Sequence, residues 1–294
     1  MIPEYIKLSS GAVEAVFAEN RYRGTRFDRA GEIVSLKFRG FEYFGKWTDC
    51  PDPSFHDCIS GVPEEFAQIG YDAAPVGGVF LKIGVGALVK PDSAPYNFRR
   101  TYPVSDAGGR RSAFSEDSAE FVHGMDTNIG YAYEYTKKIR LETNGISVSH
   151  SLENTGERTI ETSVYDHNFF TFGGAAAGGG TSVDVPFGWN GERLADFDAL
   201  VEISGGRISF KRAVAAGEFA LLKGVKTPPG AASYDIAVSC AAGGAARNVR
   251  IKCDRPNARM NFWACSSCVC PEPFVDINVA PGGAFEWNID YSFS

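Results

Sequence analysis

No stretch of the 294-residue sequence is apolar for the roughly 18 residues that a membrane-spanning helix needs. Basic residues are outnumbered, 29 Lys and Arg against 36 Asp and Glu, and nowhere do they form a run. A net charge of −7 without a basic patch argues against a nucleic-acid partner. The opening MIPEYIKLSSGAVEAVFAEN lacks the basic start, apolar stretch and small-residue cleavage site of a secretory leader, so a cytoplasmic location is expected. Long amphipathic helices are missing too, and neither an internal repeat nor a Pro/Ser-rich linker divides the chain. Histidine is scarce. The four are His56, His123, His150 and His167, so each can be weighed individually.

Cysteine is better represented, but in an odd number: Cys50, Cys58, Cys240, Cys253, Cys265, Cys268 and Cys270. Seven without an export signal point to thiols in a reducing compartment. The C-x-x-C at Cys265–Cys268 has no second pair to complete a zinc site and no βαβ setting for redox chemistry. Cys265, Cys268 and Cys270 therefore read as strand thiols, and no metal or cofactor is expected.

What fills the chain is period-two alternation broken at Gly, Pro, Asn and Asp, the pattern of an all-β protein. Val34, Leu36 and Phe38 form an apolar face, opposite a largely polar one of Ile33, Ser35, Lys37 and Arg39. Val79–Val89 reads as one extended run in which Gly84 and Gly86 mark a bulge or a close approach, not a nucleotide loop. Tyr131, Tyr133, Tyr135, Lys137, Ile139 and Leu141 share one face, and an Asn144-Gly145 turn makes a hairpin with Ile146–Leu152. After a turn at Asn154–Gly156, residues 159–165 form the next strand. Gly173–Gly180 reads as a flexible loop, and further strands fall at 233–240, 247–253, 259–264 and 285–293. Strand character from end to end predicts one large antiparallel β-sandwich or barrel, a single domain over residues 1–294.

The stretch Val164–Gly173 carries the most information. Alternation puts Tyr165, His167 and Phe169 on one face. With Tyr165-Asp-His167-Asn-Phe-Phe170 following a hairpin and an Asn-Thr-Gly turn, it resembles the N-H-x-Y-F strand of the aldose 1-epimerase (galactose mutarotase-like) superfamily. The segment from Cys270-Pro-Glu272 to Pro281-Gly282, with the strand through Trp287 and Tyr291, is similar to that family's closing segment. Tyr22–Phe27 and Ile33–Gly40 look like its opening strands, and Gly61-Val-Pro63 resembles the Gly-x-Pro of its hexose-6-phosphate branch. The resemblance spans roughly residues 20–294 and rests on the order of short motifs. It implies a β-supersandwich with an open carbohydrate cleft, His167 as general acid and Glu272 as general base.

Two departures stand out. The family's second His is matched either by Lys82 or by His123, and Ile59-Ser60 replaces the Arg that precedes Gly-x-Pro in the phosphate-binding branch. The implied chemistry suits these residue types. Exchanging anomers needs a proton delivered to the ring oxygen and one removed from the C1 hydroxyl, a task for a positioned acid and base. His titrates near neutral pH, and a partly buried carboxylate can serve as base.

Candidate sugar ligands are Lys82, His123, Glu65 (or its neighbour Glu64), Arg26 and Tyr165. His56 could reach the cleft mouth, Trp47, Trp189 and Trp263 either stack on a sugar or fill the core, and Asp276 is a substitute base. His150 reads as structural, and an acid such as Asp196 or Asp198 could lie hidden in residues 181–232. The expected activity is an aldose 1-epimerase-like isomerase of carbohydrate metabolism acting on a monosaccharide or derivative. The alternative is a non-catalytic carbohydrate-binding protein on the same scaffold.

Overall fold

The computed structural model describes residues 4–175, 177–228, 230–231 and 233–294. The central residue of the loop at 173–180, Ala176, falls outside them; next to it, Phe172–Gly174 forms a single 3-10 turn. Among the described residues nearly everything regular is strand, and no helix is long and apolar enough to cross a membrane.

Two large sheets dominate. The ten-stranded one runs, in spatial order, Val201–Ser204, Arg207–Phe210, Thr181–Asp184, Tyr234–Ala242, Ala245–Cys253, Ala284–Phe293, Gly145–Asn154, Ala132–Glu142, Ser118–Asp126 and Gly109–Phe114. Facing it is a six-stranded sheet of Glu192–Ala195, Phe219–Lys226, Arg259–Cys265, Cys268–Val279, Ile160–Asp166 and Glu64–Phe66. The first four strands, Glu4–Ser10, Val13–Glu19, Glu32–Phe38 and Phe41–Phe44, form a meander joined to the six-stranded sheet through bridges of Phe170 to Phe44 and Val269. A small three-stranded sheet, Val79–Lys82, Gly86–Val89 and Val104–Asp106, flanks them. Paired strands are antiparallel, as alternation with one buried face predicts.

Alternation reports burial faithfully along Ala132–Glu142, where Tyr133, Tyr135, Lys137, Ile139 and Leu141 are all buried between the sheets. The following hairpin turns on Thr143-Asn144, one residue before the Asn-Gly step, because Gly145 already pairs with Glu142 and lies against the last strand. A Cβ at Gly145 would sit 2.0 Å from the carbonyl oxygen of Tyr291, so this glycine is required by close backbone approach.

Two patterns come out differently from the sequence reading. In Glu32–Phe38 the register slips, Val16 pairing with Ser35 and Phe17 with Ile33, so that Val34 is bulged out. Ile33 is thereby fully buried beside Leu36 and Phe38, while Val34 is only half-buried. Val79–Val89 is not one strand but a hairpin, with Phe80 paired to Leu88 and Lys82 to Gly86. Gly84 sits in its turn at φ +74°, and a Cβ there would lie 2.4 Å from Asp28 Oδ1.

Candidate active site

The site is built where three strands of the six-stranded sheet end together. Strand Ile160–Asp166 pairs on one side with Glu64–Phe66, setting Tyr165 opposite Glu65, and on the other with Cys268–Val279, setting Tyr165 opposite Phe274. Beyond Asp166 the chain leaves regular strand but keeps its direction, because the amides of His167 and Phe169 donate to the carbonyls of Pro63 (3.0 Å) and Gly61 (3.0 Å). The Gly-x-Pro segment thus anchors the histidine. Tyr165, His167 and Phe169 present one row of rings, with Tyr165–His167 centroids 4.5 Å apart and His167–Phe169 5.4 Å. On the neighbouring strand, period two puts Cys268, Cys270, Glu272 and Phe274 on the same side.

His167 and Glu272 meet: His167 Nδ1 lies 3.1 Å from Glu272 Oε1, and both side chains are more than nine-tenths buried. Asn261, paired with Glu272 across the hairpin, donates to the other carboxylate oxygen at 3.4 Å. On the far side of the ring, His167 Nε2 is 3.4 Å from Glu65 Oε2. Glu65 is itself clamped. It accepts from Arg26 Nε (2.7 Å), the Tyr165 hydroxyl (2.5 Å) and Lys82 Nζ (3.3 Å). Arg26 also reaches Asp57 at 2.6 Å and lies between the rings of Phe27 and Phe98.

These contacts set the charges. Burial alone would push the His167 imidazolium towards neutrality, but the charge and hydrogen bond of Glu272, with the hydrogen bond to Glu65, outweigh it and raise the His167 pKa above the ordinary value. Burial would likewise raise the Glu65 carboxyl, and Arg26 and then Lys82 override it, holding Glu65 well below the usual carboxylate range. The two acidic side chains flanking the ring thus favour its protonated form.

Above this pair opens a cleft of about 600 Å³. Its floor includes Tyr165, His167 and Glu272, and its walls are aromatic, formed by Trp47, Phe169, Trp263 and Phe274. Trp47 stacks on Phe169 at 4.9 Å and meets Trp263 edge-on at 5.4 Å. At the rim stand His56, Arg99, Lys223 and Arg259, the last lying over the Phe274 ring at 4.2 Å.

The candidates from the sequence divide accordingly. His167, Glu272, Tyr165 and Arg26 line the cleft, as do His56, Trp47 and Trp263. Glu65 stands one step back, behind His167. Lys82 is farther in, fully buried between Glu65 and the Tyr96 hydroxyl at 2.8 Å, and does not line the cleft. His123 lies outside it: Tyr133 OH is 3.0 Å from its Nδ1 and the Ala107 carbonyl oxygen 3.0 Å from its Nε2. Burial, then nearby Arg110, lowers its pKa to about 4, so it stays neutral.

Glu64 points away from Glu65 into the interior, where it binds Lys137 and His150. Trp189 is core. Asp276 pairs with Arg259 at the edge, Asp198 with Arg193, and Asp196 precedes the one-turn helix Phe197–Leu200; none of the three carboxylates lines the cleft. Asp57, Phe98 and Asn261 were not anticipated. For Asn261 the signal was present, since a two-residue Ser-Ser turn after Cys265 sets it opposite Glu272.

No protein-family model and no curated protein matches the chain. Solved structures do, over essentially the full length. A galactose mutarotase-like protein from Clostridium acetobutylicum superposes with a TM-score of 0.57 at 15% identity, covering 100% of this chain and 98% of that one. One from Lactobacillus casei gives 0.57 at 12%, covering 99% and 100%. An aldose epimerase homologue from Caenorhabditis elegans gives 0.53 at 12%, covering 100% and 99%. At such identities the likeness establishes the fold, a galactose mutarotase-like β-sandwich.

Proposed function

We propose that the protein is an aldose 1-epimerase-like isomerase, with His167 as acid and Glu272 as base. The observation that carries this reading is the His167–Glu272 pair on the floor of an aromatic-walled cleft. A pyranose seated there gives its apolar face to the aromatic wall and its hydroxyls to the polar floor and rim. His167 delivers its proton to the ring oxygen as Glu272 takes the proton of the C1 hydroxyl, and the C1–O5 bond breaks to leave an aldehyde. The C1–C2 bond turns, O5 attacks the other aldehyde face, and both protons return to their donors. Nothing is consumed, and the pair is restored by closure itself. Arg26 and Tyr165 reach the sugar from the floor, while Glu65 and Lys82 hold the histidine from behind. His123 has no contact role. The site draws on residues from 26 to 272, so the chain acts as one unit.

The direct His167–Glu272 contact also supports a second reading, a carbohydrate-binding protein whose pair neutralises itself and only hydrogen-bonds a sugar. Anomer exchange measured by NMR magnetisation transfer over a panel of free aldoses separates the two. Wild-type acceleration is expected, with losses of about 10²–10⁴-fold in His167→Asn and in Glu272→Gln. Sugar-induced shifts without exchange would establish the binding module and remove the acid–base assignment.

A further inference from the structure

Cys270 has no part in proton transfer, yet it completes a constellation with the two residues that do. Its Sγ is 3.7 Å from Glu272 Oε1, the same oxygen that lies 3.1 Å from His167 Nδ1, and the three atoms fall within 4.8 Å of one another. A tetrahedral ion with bonds of about 2.0 Å to nitrogen and oxygen and about 2.3 Å to sulfur spaces its ligands roughly 3.3–3.5 Å apart. The His167–Glu272 and Cys270–Glu272 separations are thus close to coordination distance, and Cys270 and His167 offer ligand atoms within 4.8 Å of each other.

The surroundings match as well. Metal-bound histidines usually donate their other ring N–H to a carboxylate. Glu65 stands in that place, 3.4 Å from Nε2 and fixed by Arg26, Lys82 and Tyr165. Asn261 orients the second oxygen of Glu272. His167 and Glu272 face the cleft, which supplies an entry path and an open fourth position.

We propose that His167, Cys270 and Glu272 bind one borderline-soft divalent transition ion, such as Zn²⁺, with its fourth position open to the cleft. As the metal–sulfur and metal–nitrogen bonds form, the Cys270 thiol and His167 Nδ1 each lose their proton to water. The C-x-x-C plays no part, because Cys265 and Cys268 pair with each other across a turn and neither is among the three ligands. One consequence rests on the proposed isomerase activity: an ion here occupies acid and base together and blocks anomer exchange. Ion binding does not depend on that reading.

Co²⁺ titration of the purified protein without sugar tests the site. The expected result is one equivalent bound, with a near-ultraviolet thiolate-to-cobalt band. Cys270→Ser should lose the band, Glu272→Gln should keep the thiol but bind at least tenfold more weakly, and the Cys265→Ser/Cys268→Ser double variant should keep the band. Near-ultraviolet circular dichroism checks that each variant is folded. The proposal is overturned if wild type shows no band, if Cys270→Ser retains it, or if the double variant abolishes it. Anomer exchange measured in chelator reports separately on the isomerase reading, so either can fail alone.

Discussion

Glu65 helps Glu272 to favour a proton on His167 without itself facing the cleft. Buried, with four donors converging on it, it is a fixed negative charge behind the ring. Its hydrogen bond is one of the contacts that raise the His167 pKa against burial. Glu65→Gln removes the charge and keeps the shape, so the His167 pKa falls. On the proposed isomerase reading the acid works only while protonated, so the high-pH decline of kcat/KM moves to lower pH in the variant. A loss of about tenfold at neutral pH, equivalent to about 1.4 kcal/mol, is expected. A profile measured from pH 5 to 10 checks this, and an unmoved limb would remove Glu65 from any role in setting the acid. The pair His167 and Glu272 was legible because two short motifs bracket it in the right order. Lys82 and His123 were not distinguishable in one dimension. Both fall on strands with apolar neighbours, and only the hairpin at Gly84 and the hydrogen bonds to Tyr133 and Ala107 show that neither reaches the cleft.

At the scale of strands, alternation locates an element well and its irregularities poorly. The long hairpin Ala132–Asn154 obeys period two over its whole length because one face packs on the core throughout. The bulge at Val34 has no marker in a sequence where Ile33 and Val34 are interchangeable in hydrophobicity; it comes from pairing with Val13–Glu19. Glycines are the better guide. Gly145→Ala places a methyl against the backbone of Tyr291, which cannot rotate away, at the junction of the hairpin with the last strand. A destabilisation of about 1–3 kcal/mol follows, seen as a drop of several degrees in Tm. Gly109→Ala, with nothing within 4 Å of the added methyl, is the control and should leave Tm nearly unchanged. Equal melting of the two variants would show that the last strand yields at that point.

Across the whole molecule, the two large sheets meet around an ionic centre directly behind the site. Glu64 from the six-stranded sheet binds Lys137 and His150 (2.8 Å) of the ten-stranded one, and His150 stacks on Trp287 at 4.3 Å. Asp166 accepts from the Tyr234 hydroxyl across the same gap at 3.1 Å. Period two links the layers, since Glu64 and Asp166 point inward where Glu65 and His167 lie on the opposite face, on the side of the cleft. The charges are divided unequally. Burial would raise the Glu64 carboxyl, but Lys137 and the His150 hydrogen bond bring it down to about 2. Asp166 has no such support. Burial, then the charge of Glu64, pushes it up to about 8, against the smaller pull of Tyr234, Lys137 and His167. Its folded pKa therefore lies above the unfolded one near 3.9, and its contribution is complete below the unfolded value. That contribution is lost as pH rises through about 8, where the interior must accept a further carboxylate beside Glu64 and Asp28. Asp166→Asn fixes the neutral state. Urea unfolding at pH 5, 7 and 9 should show wild type losing stability relative to the variant at each step upward. A pH-independent difference between the two would mean that Asp166 is already ionised in the folded protein at pH 5.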